Sequence, residues 1–191
     1  MESSPRRAMF IDAAEEILRS VGYVGISARQ VAAQAGLKTQ LLYYYFLTMD
    51  DLILAVVRRI NERRLQRLDE ALASPEPLRA LWQLNSDPSG ATLSAELTSI
   101  ANHRETVRAE IVRSAQHFRA LQVKAATELL AAHHDAELPA AGLVMIAISV
   151  ARTLVTESAL GLNDGHDQAL MLVERMLGKF EKKPGRKTGK P

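Results

Sequence analysis

Between residues 8 and 21, Met9, Phe10, Ala13, Ala14, Ile17, Leu18 and Val21 recur at spacings of one, three and four, with Asp12, Glu15 and Glu16 on the opposite face. That 3.6-residue period predicts an amphipathic helix. Gly22-Tyr23-Val24-Gly25 reads as a short loop. After it, Ser27 and Gln30 form an S-x-x-Q capping box, with Ile26 placed to staple onto Val31. Val31, Ala32 and Ala35 supply an apolar stripe, and Gly36 stands where a positive φ ends a helix cheaply. A second short helix follows almost at once. Leu42 and Phe46 lie one turn apart and face inward, which points Gln40, Leu41 and Tyr44 away from the core and leaves Tyr43 on the flank. Tyr43, Tyr44 and Tyr45 cannot all be buried on one helix face. Two such helices around a glycine turn have the geometry of a helix-turn-helix, whose second helix offers its outer face to a DNA major groove; an ordinary helical hairpin with exposed aromatics fits the same stretch.

The pattern stays helical to the end. Thr48 can cap a long helix with Asp50 and Asp51 in its first turn and a stripe of Leu52, Val56, Ile60, Leu68 and Leu72, running to about Ala73. Ser74-Pro75-Glu76-Pro77 ends it. Leu78, Leu81, Trp82 and Leu84 mark a short helix that stops at a dense turn signal over 85–90, and helical patterns resume at about 91–102 and 104–133. Residues 140–162 and 167–180 are apolar nearly all round, and a helix apolar on every face is buried on every face. One face on the chain's own core and the other on a second copy is the simplest arrangement. It predicts a two-fold homodimer through a four-helix interface, with Ala147, Ala151, Leu154, Leu170, Val173 and Leu177 in it. No stretch alternates long enough to be a strand, so the fold class is all-α, with about nine helices.

Composition narrows the chemistry more than it identifies it. At 191 residues and 47 % hydrophobic the chain can bury one good core or two small ones, and it has no cysteine for disulfides, thiolate chemistry or cysteine-bound metal. Residues 1–10 run straight into an amphipathic pattern rather than a signal peptide, and the longest apolar run, 140–151, stops at Arg152, so no membrane segment and a cytoplasmic location are expected. The basic balance is mostly a tail effect: residues 179–191 carry six Lys/Arg against one Glu, which leaves −3 of the formal +2 for everything before them. Phosphate contacts must therefore come from local placement rather than net charge. The phosphate-loop, dinucleotide, G-x-S-x-G and H-E-x-x-H motifs are all missing, so no enzyme, cofactor or metal is expected. His133-His134-Asp135 reads as a solvated helix end, since adjacent helical histidines diverge by about 100°.

The string from Ala8 to Ala55, with AAEEILRSVGY, ISARQVAAQAGL, LLYYYF and DDLILAV in that order, resembles the DNA-binding end of the tetracycline-repressor (TetR) family. The resemblance implies an all-α homodimer with a helix-turn-helix near each N-terminus and a larger helical domain that binds a small molecule. Ligand binding then alters the separation of the two recognition helices and releases DNA. Expected boundaries are 1–47 for the DNA-binding domain, 48–181 for the ligand-binding and dimerisation domain, and 182–191 for a basic disordered tail. By position, Arg29 looks like a base or phosphate contact, and Thr39, Gln40, Tyr43, Tyr44 and Tyr45 fall on recognition-helix contact positions. Arg can read guanine, Gln can read adenine and tyrosine hydroxyls can bond phosphate. Two positions depart from the family: Met49 replaces a phosphate-contacting lysine, and Lys38 replaces a Ser or Thr cap, with Lys38, Arg6 and Arg7 available as compensating cations. The expected partners are a palindromic double-stranded DNA operator, a largely apolar effector and a second copy of the chain. The expected pocket, between the long helix and residues 78–160, includes Trp82, His117, Phe118 and Thr153. The rival reading is a helical small-molecule carrier that never touches DNA.

Overall fold

A computed structural model describes residues 4–132 and 138–181. The His133-His134-Asp135 cluster and the tail at 182–191 lie outside the described residues. Among those described there are nine α-helices, one 3-10 turn (Tyr23–Gly25) and no strand. In chain order the helices are α1 (Pro5–Ser20), α2 (Ala28–Gln34), α3 (Thr39–Tyr45), α4 (Met49–Leu72), α5 (Pro77–Asn85), α6 (Pro88–His103), α7 (Glu105–Ala132), α8 (Ala140–Ala159) and α9 (His166–Glu181). They form two compact units, one of residues up to Arg64 with Thr92–Ala115, the other of Leu65–Ala91 with residues from Gln116 on.

The first unit is built on a dense apolar core. Phe10 and Leu18 of α1, Val31 of α2, Leu42 of α3, Phe46, and Leu52 and Val57 of α4 are all essentially inaccessible. Each such side chain contributes about 1.5–3 kcal/mol of burial. Leu93, Leu97 and Ile100 of α6 and Val107 of α7 belong to the same cluster, so three N-terminal helices close their core only with help from beyond residue 90. The loop after α1 is held by that same α6. The Tyr23 amide N–H donates to Glu96 Oε2 at 2.8 Å, and Gly22, at φ +86°, brings the backbone so near that a Cβ would sit 3.0 Å from the Glu96 carboxylate. Arg104 Nε donates to the Tyr23 hydroxyl at 2.8 Å, and its guanidinium pairs with Asp50.

One acid of α1 departs from the expected solvent face. Glu15 is only 4 % exposed, and it is tolerable there because Arg19 and Arg63 each donate to its carboxylate at 2.9 Å. Arg59 pairs with Asp12, and Arg58 with Glu110 at 3.1 Å, so arginines outside the α4 stripe serve as bridges.

The second unit centres on Leu68, Ala71, Leu81 and Phe118. Its turn signal at 85–90 is shorter than the composition suggests, because Pro88, Ser89 and Gly90 form the first turn of α6. Asp87 is the reason: its Oδ1 accepts from the Ser89 N–H at 3.0 Å and from the Ser89 hydroxyl at 2.8 Å, and Pro88 needs no amide partner at a helix start. Helices α8 and α9 each bury only part of their apolar surface within the single chain. Val144 and Ala151 are buried, yet Met145 and Ile146 are exposed, as are Leu170, Met171 and Leu172 of α9. The α8 helix continues through Arg152, so by length and composition alone its 20 residues could cross a membrane, although the uninterrupted apolar run is shorter.

Candidate nucleic-acid interface

The hairpin is made by local devices. Ser27 Oγ accepts from the Gln30 N–H at 3.3 Å and donates to Gln30 Oε1 at 2.8 Å, so the box closes hydroxyl to amide rather than through the Ser27 N–H. Helix α2 then ends in a Schellman motif: Leu37 N–H reaches Ala32 O at 2.9 Å and Gly36 N–H reaches Ala33 O at 3.1 Å, with Gly36 at φ +67°. Four residues later α3 begins with Lys38 as its cap, exposed and without a capping side-chain bond. At the far end Thr48 and Asp51 cap α4 reciprocally, the Asp51 N–H on Thr48 Oγ1 at 3.1 Å and the Thr48 N–H on Asp51 Oδ2 at 2.9 Å.

Inside that frame Leu42 and Phe46 face the core, at 0 % and 2 % exposure, whereas Tyr43 and Tyr44 stand 49 % and 64 % exposed. Gln40, Lys38 and Arg29 are exposed and Thr39 is half-buried. Two neighbours turn the other way. Leu41, expected outward, packs partly against the core. Tyr45 is half-buried, its hydroxyl 2.9 Å from Ser4 Oγ and its ring edge-on to Tyr44 at 5.1 Å, so it braces Tyr44 and ties α3 to the chain before α1. Met49 also packs against the core, and Arg7 lies 5.0 Å from the Phe46 ring centroid. The surface left for a polyanion is therefore Arg29, Lys38, Thr39, Gln40, Tyr43 and Tyr44. Its donors are dispersed cations, an amide and phenols, which suit phosphate oxygens and base edges.

Residues 10–56 match the model of the family described as bacterial regulatory proteins, tetR family. Over those residues the chain carries a tetR-type helix-turn-helix head. Solved structures carry the likeness over nearly the whole fold. A TetR transcription regulator from Haloarcula marismortui is 16 % identical with a TM-score of 0.73, covering 92 % of this chain and 97 % of its own. Salmonella enterica GusR is 17 % identical with a TM-score of 0.71, covering 95 % and 98 %. The fatty acid degradation regulator FadR from Bacillus halodurans is 16 % identical with a TM-score of 0.67, covering 95 % and 97 %. No curated protein matches in sequence. The tetR-type fold thus extends past the matched head, with a larger helical C-terminal part.

That part holds a cavity of about 350 Å³ within the second unit, between α5, α7, α8 and α9. Its volume falls within the range usual for small-molecule sites, about 300–1,000 Å³. Trp82 lines it, but the other three residues expected there do not. His117 and Thr153 are exposed, and Phe118 is part of the core, because α7 and α8 turn other faces to the cavity. None of its lining residues comes from α4, which the expected pocket included. Of the residues expected at a dimer interface, Ala147, Val173 and Leu177 line the cavity, Ala151 is fully buried, Leu154 is half-buried and Leu170 is exposed. Asn85 and Gln122 are the amide side chains in the lining, and sequence reasoning passed over both. Gln122 could have been found, since it lies one helical turn after Phe118 on a buried stripe.

Proposed function

We propose that the chain is a cytoplasmic, ligand-responsive DNA-binding regulator, a repressor released from a palindromic operator by a small-molecule effector. Residues 1–47 bind DNA and 48–181 bind the effector and dimerise. The observation that carries this reading is α3: a capped helix that buries Leu42 and Phe46 while leaving Gln40, Tyr43 and Tyr44 exposed on its outer face. A core-packing helix would not spend two adjacent tyrosines on solvent. Arg29, Lys38 and Thr39 flank that face, and Tyr45 acts by bracing it.

The apolar side chains left exposed on α8 and α9, among them Met145, Leu170 and Met171, support a second copy as partner. The cavity supports the effector. Helices α4 and α7 each contribute residues to both units, which gives effector binding a covalent route to the head. The effector favours a dimer geometry whose two α3 helices no longer match successive major grooves about 34 Å apart. A carrier without DNA binding would also need the cavity, but it has no use for the capped, glycine-turned hairpin.

The test is selection of a random duplex pool by the purified chain at two salt concentrations, beside a Tyr43→Ala, Tyr44→Ala variant. A palindromic site should enrich, with affinity falling roughly tenfold or more in the variant. Enrichment of nothing at low salt, by a folded dimer, would sink the regulator in favour of the carrier.

A further inference from the structure

Gln40 differs in its commitments from the polar side chains around it. Gln30 Oε1 accepts from the Ser27 hydroxyl at 2.8 Å, and the Tyr45 hydroxyl lies 2.9 Å from Ser4 Oγ. Gln40 is exposed, and its amide makes no hydrogen bond among the described residues. It is the second residue of α3, in the turn that a helix-turn-helix sets against base edges. At about 100° per residue it lies about 160° round the helix from buried Leu42, so it points straight out of the hairpin.

The neighbouring chemistry leaves base choice to that amide. Residues 39–47 contain no Arg, Lys, Asn, Asp or Glu. In the major groove guanine presents two acceptors and calls for a double donor, whereas cytosine presents a donor and calls for a carboxylate. Adenine presents one acceptor and one donor, which an amide matches with one of each. Arg29 lies in the first turn of α2, the helix that crosses the backbone, and Lys38 at the α3 cap is a point charge; both are matched to phosphate. Tyr43 and Tyr44 are exposed, and a phenol hydroxyl both donates and accepts, so it serves phosphate oxygens without discriminating between bases.

We propose, on the reading of the chain as a DNA-binding regulator, that Gln40 is its base-selecting residue. Each operator half-site places an adenine against it, with Nε2 donating to adenine N7 and Oε1 accepting from the N6 amino group. The amide is neutral, so the preference for adenine persists at salt concentrations that weaken the phosphate contacts.

Selection from a random duplex pool by the full-length chain, beside Gln40→Ala and Gln40→Arg variants, tests this. Gln40 is exposed, so neither change removes a core contact. The unmodified chain should enrich a site with one A·T pair in each half favoured about tenfold over the other pairs. In Gln40→Ala that preference should fall to near parity while the rest of the site is kept. In Gln40→Arg the adenine should give way to guanine on the same strand. Adenine retained in either variant, a G·C pair as the one lost, or no turn to guanine would overturn the assignment to Gln40 and leave the DNA-binding reading intact. Enrichment of no site by the unmodified chain would overturn both.

Discussion

The two compact units use their apolar residues differently. Of the largest fully buried side chains, all but Leu68 lie in the first unit, including Phe10, Phe46, Leu42 and Ile100. The second unit keeps a cavity of about 350 Å³ and leaves Met145, Leu160, Met171 and Leu172 largely in solvent. Position-sensitive contacts need side chains that do not move, and close packing supplies that. On the proposed function the second unit admits a ligand and meets another chain, and such a unit has to leave apolar surface uncommitted.

The sharpest way to break this contrast is truncation. Leu42→Ala, at a fully buried site, should cost about 2–5 kcal/mol in denaturant unfolding and abolish DNA binding. The same change at half-buried Leu129 on the cavity wall should cost nearer 1 kcal/mol, because fewer contacts are lost. Comparable losses at the two sites would erase the distinction. Enlargement should act with opposite signs. Ala14→Leu, at 1 % exposure in the packed core, should destabilise by about 1–3 kcal/mol. Ala126→Leu, which grows into the cavity, should stabilise by about 0.5–2 kcal/mol in thermal unfolding.

The smallest effect concerns acid. Burial pushes the Asp87 carboxyl upward, but hydrogen bonds from Ser89 and Arg67 outweigh it and hold the group below its ordinary value of 3.8. A carboxyl depressed in the folded state contributes its stability in full above the unfolded value and loses it as pH falls through the folded one. Asp87→Asn should therefore flatten the loss of stability below about pH 4 in acid titrations of unfolding, with little change in that slope near neutrality.

The helix-turn-helix was legible because its devices are local. Ser27 caps three residues ahead, Gly36 turns where it stands, and Leu42 and Phe46 mark one face one turn apart. Pro88-Ser89-Gly90 misled because turn residues and first-turn residues are the same residues, and Asp87 decides between them. What sequence could not reach was tertiary. The phase of α7 and α8 about their own axes is set by their neighbours, so His117 and Thr153 turned out exposed and Ala147 turned to the cavity. Nothing near Glu96 says that its carboxylate will accept the Tyr23 amide. Tyr45 is alike: a third tyrosine in a row looks like the other two until Ser4 and Phe10 are placed beside it.

One placement has an optical consequence. The only tryptophan, Trp82, borders the cavity in the second unit, while all four tyrosines, at 23, 43, 44 and 45, stand in the first. The chain is thereby labelled in two colours without any added dye: indole emission reports on the unit that holds the cavity, and phenol absorbance reports on the loop and helix of the proposed DNA face.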